Sequence, residues 1–226
     1  MKSYLLVADV LGFSNIVSNL HPNHLSRRMA TWLHIVEETS REMEIKDIQL
    51  VSDTIFVREV VSEDGLQRLF QFSKLLLQRG MQNSFPIRGA ITFGELTWGK
   101  LIYGEAVIEA YNLERSLDWI GIACGKLPDV PWSWDLACYY LVPKKGNEKA
   151  TFSVAIPWPI LEIETKDFRG KWTSGGLLKN KEDITWASYS KLFNTLLFFK
   201  YARQCMEENL QPNKFNSEVY EKLYLT

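Results

Sequence analysis

The first apolar run shows no polar alternation. Tyr4, Leu5, Leu6, Val7 and Ala8 follow one another directly, the pattern of a strand covered on both faces. In HLSRRMATWLHIVEETSREM (24–43), Leu25, Met29, Trp32, Leu33 and Val36 recur at helical spacing and predict an amphipathic helix. DIQLV (47–51) and TIFVREVV (54–61) read as two strands joined through Ser52 and Asp53 as a hairpin, and SEDG (62–65) is a turn. A second helix follows, with Leu66, Leu69, Phe70, Leu76 and Leu77 on or near one face. From Pro86, PIRGAITFGELTWGKLIYG reads as two strands broken at Gly94, and GEAVIEAYNLERSLDW (104–119) as a third helix. Short strands are expected around GIAC, LACYYLVP and TFSVAIPW, and a last helix from about Trp186 to Leu210.

The order strand, helix, hairpin, helix, strand predicts an α+β, ferredoxin-like (split βαβ) fold, an antiparallel sheet with helices on one face. No repeat or low-complexity linker interrupts it. We therefore expect one domain over residues 1–226, with a core to about 160 and a C-terminal helical extension from about 186. The segment PDVPWSW (128–134) reads as a hydrophobic plug over the sheet in preference to a ligand lid.

Composition narrows the classes. A net charge of −1 lacks the basic excess of a nucleic-acid-binding surface, and no window, LFNTLLFFKY (192–201) included, has the length of a membrane span. The N-terminus enters a strand at once without a signal-peptide pattern. Cys124, Cys138 and Cys205 match neither a zinc pattern nor a disulfide framework. The expectation is a soluble cytoplasmic protein with reduced cysteines, without nucleic-acid or membrane partners. His21, His24 and His34 read as structural or surface residues.

The candidate chemistry starts at Asp9. An ionised carboxylate at the end of a buried strand costs several kcal/mol, roughly, unless it is paired or coordinated, although an Asp there also serves as a turn cap. In the expected topology the hairpin is the neighbour of the first strand, about 4.8 Å away, so Asp53 at its turn faces the same gap. A divalent cation removes the repulsion between the two acids, and all-oxygen ligation favours Mg²⁺ or Mn²⁺. Gly12 permits a tight turn whose amides face an anion, with Phe13 covering it. Two cations at such a site suit in-line phosphoryl displacement on a nucleoside triphosphate.

These residues resemble a known family. D-V-L-G-F-S (9–14) is similar to the D-x-x-G-F-S/T motif that opens class III nucleotidyl (adenylate/guanylate) cyclase domains. V-S-D-T-I-F (51–56) resembles the hairpin with that family's second metal-binding Asp. R-G-A-I-T-F-G (88–94) resembles its R-x-G-I-x-x-G strand, and G-E-A-V-I-E-A-Y-N-L-E-R (104–115) its G-x-x-V-N-x-A-A-R helix. The match covers residues 4–120, about half the chain. It implies two Mg²⁺ or Mn²⁺ ions on Asp9, Asp53 and the Val10 carbonyl, and phosphates on the amides around Gly12 and Phe13. It also implies triphosphate contacts from Arg88 and from Lys145, with Lys144 as the competing lysine. Sites in this family are shared across a homodimer.

The departures shape the substrate. Where purine cyclases carry a base-reading Lys and Asp, this chain has Gln49 and Leu101; the family's helix Asn and Arg map to Ile108 and Asn112. Arg115, one turn on, either supplies the missing positive charge or pairs with Glu114 or Asp118. The short domain, the A-Y-x-L-E helix and the lost purine-reading pair resemble the bacterial Pycsar pyrimidine cyclases of anti-phage defence. That resemblance implies conversion of UTP or CTP to the 3′,5′-cyclic monophosphate, UTP first, with a separate cyclic-nucleotide-responsive effector. The alternatives are a purine cyclase and a catalytically silent nucleotide-binding, dimerising module. A palm-type polymerase or diguanylate cyclase is disfavoured, because Ser52-Asp53 is neither an acid pair nor G-G-[DE]-x-F.

Overall fold

A computed structural model of the chain describes residues 1–128, 132–146, 149–158 and 186–225. The elements are β1 (Lys2–Val10), α1 (Phe13–Asn19), α2 (Pro22–Glu42), β2 (Asp47–Val51), β3 (Thr54–Glu59), α3 (Glu63–Gln82), β4 (Ile87–Glu95), α4 (Glu105–Ser116), β5 (Gly121–Cys124), β6 (Cys138–Val142) and β7 (Thr151–Ala155). Two C-terminal helices follow, α5 (Trp186–Glu207) and α6 (Ser217–Leu225). The strands form one sheet in the order β2-β3-β1-β4-β5-β7-β6.

The expected α+β architecture, helices packed on a sheet, is present, with two differences. The sheet is mixed, because β4 and β5 run parallel. A parallel pair needs a crossover, and α4 is that crossover. The helices therefore cover both faces. Tyr4, Leu6 and Ala8 of β1 join a core cluster with α2 and α3, whereas Leu5 and Val7 pack with Ala106 and Ala110 of α4. The unbroken apolar run of β1 follows from this two-sided cover.

Gly94 does not break a strand. It lies inside β4, where an added Cβ would sit 3.3 Å from the Ala106 amide nitrogen, so glycine admits the close approach of α4. The expected second strand there is reduced to a single bridge between Thr97 and Tyr103. On α2 the buried stripe is Trp32, Ile35, Val36, Thr39 and Ser40, and Leu33 is exposed. Positions 32, 36 and 39 share a face, and 33 lies at its edge, about 60° from 36.

The far half of the sheet has its own core. Trp119 and Tyr140 stack with centroids 5.9 Å apart, Phe198 meets Trp119 edge-on at 4.9 Å, and Tyr201, Ala202 and Cys205 of α5 are buried with them. Of the expected plug, residues 129–131 lie outside the described residues; Trp132 packs on the first cluster and Trp134 on this second one. All three cysteines are free and buried, and no helix among the described residues is long and apolar enough to cross a membrane.

Phe198→Ala tests whether α5 belongs to this core. Urea denaturation is expected to show a loss of about 3–5 kcal/mol; a loss below about 1 kcal/mol would place α5 outside it.

Candidate active site

Side-chain alternation along β1 sets the site. Leu5 and Val7 face α4, so Asp9, two residues on, points to that face as well. The β1–β4 register puts Arg88 directly opposite Asp9. Arg88 is only 7% exposed, in the middle of the sheet, so it is not a sheet-edge charge. Its Nε and Nη2 both donate to Glu114 Oε1, its Nη2 lies 3.7 Å from Asp9 Oδ2, and its Nη1 reaches the Leu117 carbonyl at 3.5 Å. Glu114, at the end of α4, is itself 4% exposed.

Asp53 occupies the two-residue β2–β3 turn, where Ser52 adopts a left-handed φ of 60°. Burial is the main cause that raises the Asp53 pKa, opposed by its own amide, the Ser52 hydroxyl and the Val10 amide. The β1–β3 register pairs Ala8 with Ile55, which brings Asp53, two residues before Ile55, to the end of the sheet that carries Asp9. The Asp9 carboxyl is pushed up to about 7, first by burial and then by Glu114 and Asp53, with Arg88 opposing. Asp9 Oδ1 is buried without a hydrogen-bond partner.

That orphaned oxygen is the observation that fits a cation. A buried carboxylate oxygen without a donor is costly, and a hard divalent ion satisfies it with the oxygen ligands at hand. Among the described residues no group of three or more His, Cys, Asp or Glu is arranged to hold a metal. A cation here would rest on Asp9, Asp53, the Val10 carbonyl and oxygens from substrate or water.

Gly12 takes φ 77°, ψ 14° and caps α1, a left-handed conformation that suits glycine. Its carbonyl accepts the amides of Asn15 and Ile16, and Phe13 packs on the main core. Lys145 comes to the same end of the sheet. Its Nζ donates to the Arg115 carbonyl at 2.6 Å. Burial lowers its pKa, as do Arg88 and Lys191, while Glu114 and Asp9 oppose the shift. Lys144 instead forms a backbone bridge with Leu117 and borders a cavity of about 1050 Å³ on the other flank of α4.

The remaining candidates are exposed or make other contacts. Gln49 donates through Nε2 to the Gly99 carbonyl at 2.7 Å, and Leu101 is exposed. Asn112 and Ile108 lie on the open face of α4. Arg115 pairs with neither expected acid. It donates to the Tyr111 hydroxyl at 3.1 Å and lies over that ring, while Glu114 holds Arg88 and Asp118 holds Lys191. The histidines are elsewhere: His21 caps α2 and His34 meets Glu38 one turn on. Sequence reasoning missed Glu114 as a site residue. Its signal was spacing, because position 114 shares a helix face with the buried Ala110.

No family model and no curated protein matches the sequence. Solved structures do resemble it. The catalytic core of a rhodopsin-guanylyl cyclase with converted specificity, in complex with ATPalphaS, gives a TM-score of 0.52 at 14% identity, covering 68% of this chain and 94% of that one. The adenylyl cyclase CyaB from P. aeruginosa gives 0.48 at 15% identity, covering 69% and 94%. The monomeric guanylyl cyclase domain of the RhoGC fusion protein from the aquatic fungus Blastocladiella emersonii gives 0.48 at 16%, covering 55% and 80%. The chain has the class III nucleotidyl cyclase fold.

The raised Asp9 pKa has a definite sign. Between about 4 and 7 the folded metal-free protein holds a proton that the unfolded chain has released, so Asp9 makes stability fall as pH rises through that window. Asp9→Asn is expected to flatten this part of the thermal-stability profile; an unchanged profile would show that Asp9 ionises normally.

Proposed function

We propose that the chain is a nucleotidyl cyclase acting on a pyrimidine nucleoside triphosphate, UTP ahead of CTP. The observation that carries this reading is the strand register that brings Asp9 and Asp53 to one end of the sheet, with a buried Asp9 oxygen lacking a donor. The substrate's 3′-oxygen attacks the α-phosphorus, the bond to the bridging oxygen breaks, pyrophosphate leaves, and the 3′-hydroxyl proton is released. Two Mg²⁺ or Mn²⁺ ions held by Asp9, Asp53 and the Val10 carbonyl would supply charge to the triphosphate and acidify the 3′-hydroxyl.

The protein's own groups do the positioning. The turn at Gly12 and Phe13 receives the β- and γ-phosphates. Lys145 adds positive charge from the β6–β7 hairpin, and Arg88, tied to Glu114, contributes a fixed guanidinium beside Asp9. The base assignment rests on Gln49 and Leu101. The Gln49 amide nitrogen already serves Gly99, and Leu101 offers no hydrogen bond to a purine edge. By resemblance, the cyclic nucleotide is a second messenger in anti-phage defence, read by a separate effector.

The open face of α4 completes the reading as a homodimer. Ile108 and Tyr111 on α4, and Leu101 and Tyr103 in the segment before it, are all more than half exposed, apolar surface that suits an interface. Asn112 and Arg115 are exposed on or beside this face and would act in the partner's site. One observation favours a silent binding module instead: Arg88 and Glu114 already balance each other beside Asp9.

Incubation with ATP, GTP, CTP and UTP separately, with Mn²⁺ and mass spectrometry of products, tests the proposal. Cyclic UMP or cyclic CMP is expected, reduced at least about 100-fold in Asp53→Ala. Cyclic AMP or cyclic GMP would keep the chemistry and overturn the base assignment. No product from a folded dimer would favour the silent module. Mixing Asp53→Ala with Asn112→Ala protein is expected to restore activity by making one intact site per heterodimer; no restoration would contradict a shared site.

A further inference from the structure

The strongest unexplained feature outside the acid pair is an ion pair between α5 and the connector 117–120 that follows α4. Lys191 Nζ lies 3.0 Å from Asp118 Oδ1, and both side chains are 13% exposed. Asn194 Nδ2 donates to the Asp118 carbonyl at 2.8 Å, and the Ile120 amide donates to Thr195 Oγ1 at 2.9 Å. Three successive polar contacts from Lys191, Asn194 and Thr195 thus hold one short connector. A charged pair so largely withdrawn from water contributes little to net stability, so its value lies in fixing geometry.

The other side of that connector holds the β6–β7 hairpin. The Asp118 amide donates to the Pro143 carbonyl at 3.0 Å, Leu117 bridges Lys144, and the Lys145 amide donates to the Ser116 carbonyl at 2.8 Å. Lys145 Nζ then reaches the Arg115 carbonyl, next to Glu114, and Arg88 touches the Leu117 carbonyl. A continuous set of contacts runs from Lys191 through Asp118 to Lys145 and Arg88.

We propose that α5 is a positioning element: through Lys191, Asn194 and Thr195 it fixes the 117–120 connector and the hairpin, and so sets Lys145 where a substrate's terminal phosphates arrive. This rests on the nucleotide-binding reading of the site. Lys191 is a positioning residue here and makes no contact with substrate itself. The chemistry it governs is recognition of a triphosphate over a monophosphate, since only the former extends to the lysine.

The test compares affinities of the full chain for a non-cyclisable UTP analogue and for UMP, by calorimetry with Mn²⁺, alongside thermal unfolding. Lys191→Met is expected to weaken analogue binding about tenfold and leave UMP unchanged. Lys191→Arg is expected to restore it. Lys145→Ala is expected to give the same loss, and adding Lys191→Met to it no further loss. Should Lys191→Met fold poorly with Asp118 left unpaired, Lys191→Met with Asp118→Asn removes both charges and gives the same comparison. Equal weakening of analogue and UMP, or a further loss in the Lys145→Ala background, would overturn the positioning role. A wild-type protein that binds neither ligand would overturn the nucleotide reading of the site and this proposal with it.

Discussion

One buried guanidinium organises the structure around the site. Arg88 sits in the middle strand of the sheet, where a charge is costly unless it is met by opposite charge and hydrogen bonds. It is met from two directions, by Asp9 on β1 and by Glu114 on α4. Satisfying it fixes the end of α4 against the sheet, because the helix must deliver Glu114 to that spot. It also holds Asp9 at the strand end where Asp53 comes round from the hairpin.

The two-sided burial of β1 is the constraint behind this arrangement. With α2 and α3 on one face, α4 must cover the other, and the crossover from β4 to β5 puts it there. Gly94 lets the helix approach closely. Asp9 then lies under α4 with its side chain 29% exposed and one carboxylate oxygen fully buried, and burial pushes its pKa up to about 7. That is a cost in the metal-free chain, and a divalent cation would convert the same geometry into a binding site.

The acid pair was legible in the sequence because it depends only on local features, an acid ending an apolar strand and another in a two-residue turn. The neighbouring of β1 and the hairpin followed from element order, and the cyclase-like fold from the resemblance of four motifs, whereas the parallel β4–β5 pair and the helix on the second face did not. Arg88's pairing with Glu114 was not legible, since residues 26 positions apart meet only once the crossover is placed. The last helix was visible as a helix but its role was not. Leu192, Leu196 and Phe199 face one core cluster while Phe198, Tyr201, Ala202 and Cys205 face another. A helix apolar on more than one side gives no single stripe from which to read its seat. Gly94 misled for a related reason: a glycine that marks close packing looks the same in sequence as one that ends a strand.

The proposed function turns on Asp9 and Asp53 holding divalent cations in one site. Electron paramagnetic resonance of Mn²⁺, titrated into the full chain with a non-cyclisable UTP analogue, measures this directly. Two bound ions per chain are expected, lost in Asp9→Asn and in Asp53→Ala while the fold is retained. The same Mn²⁺ binding in the folded Asp53→Ala protein as in the wild type would contradict it.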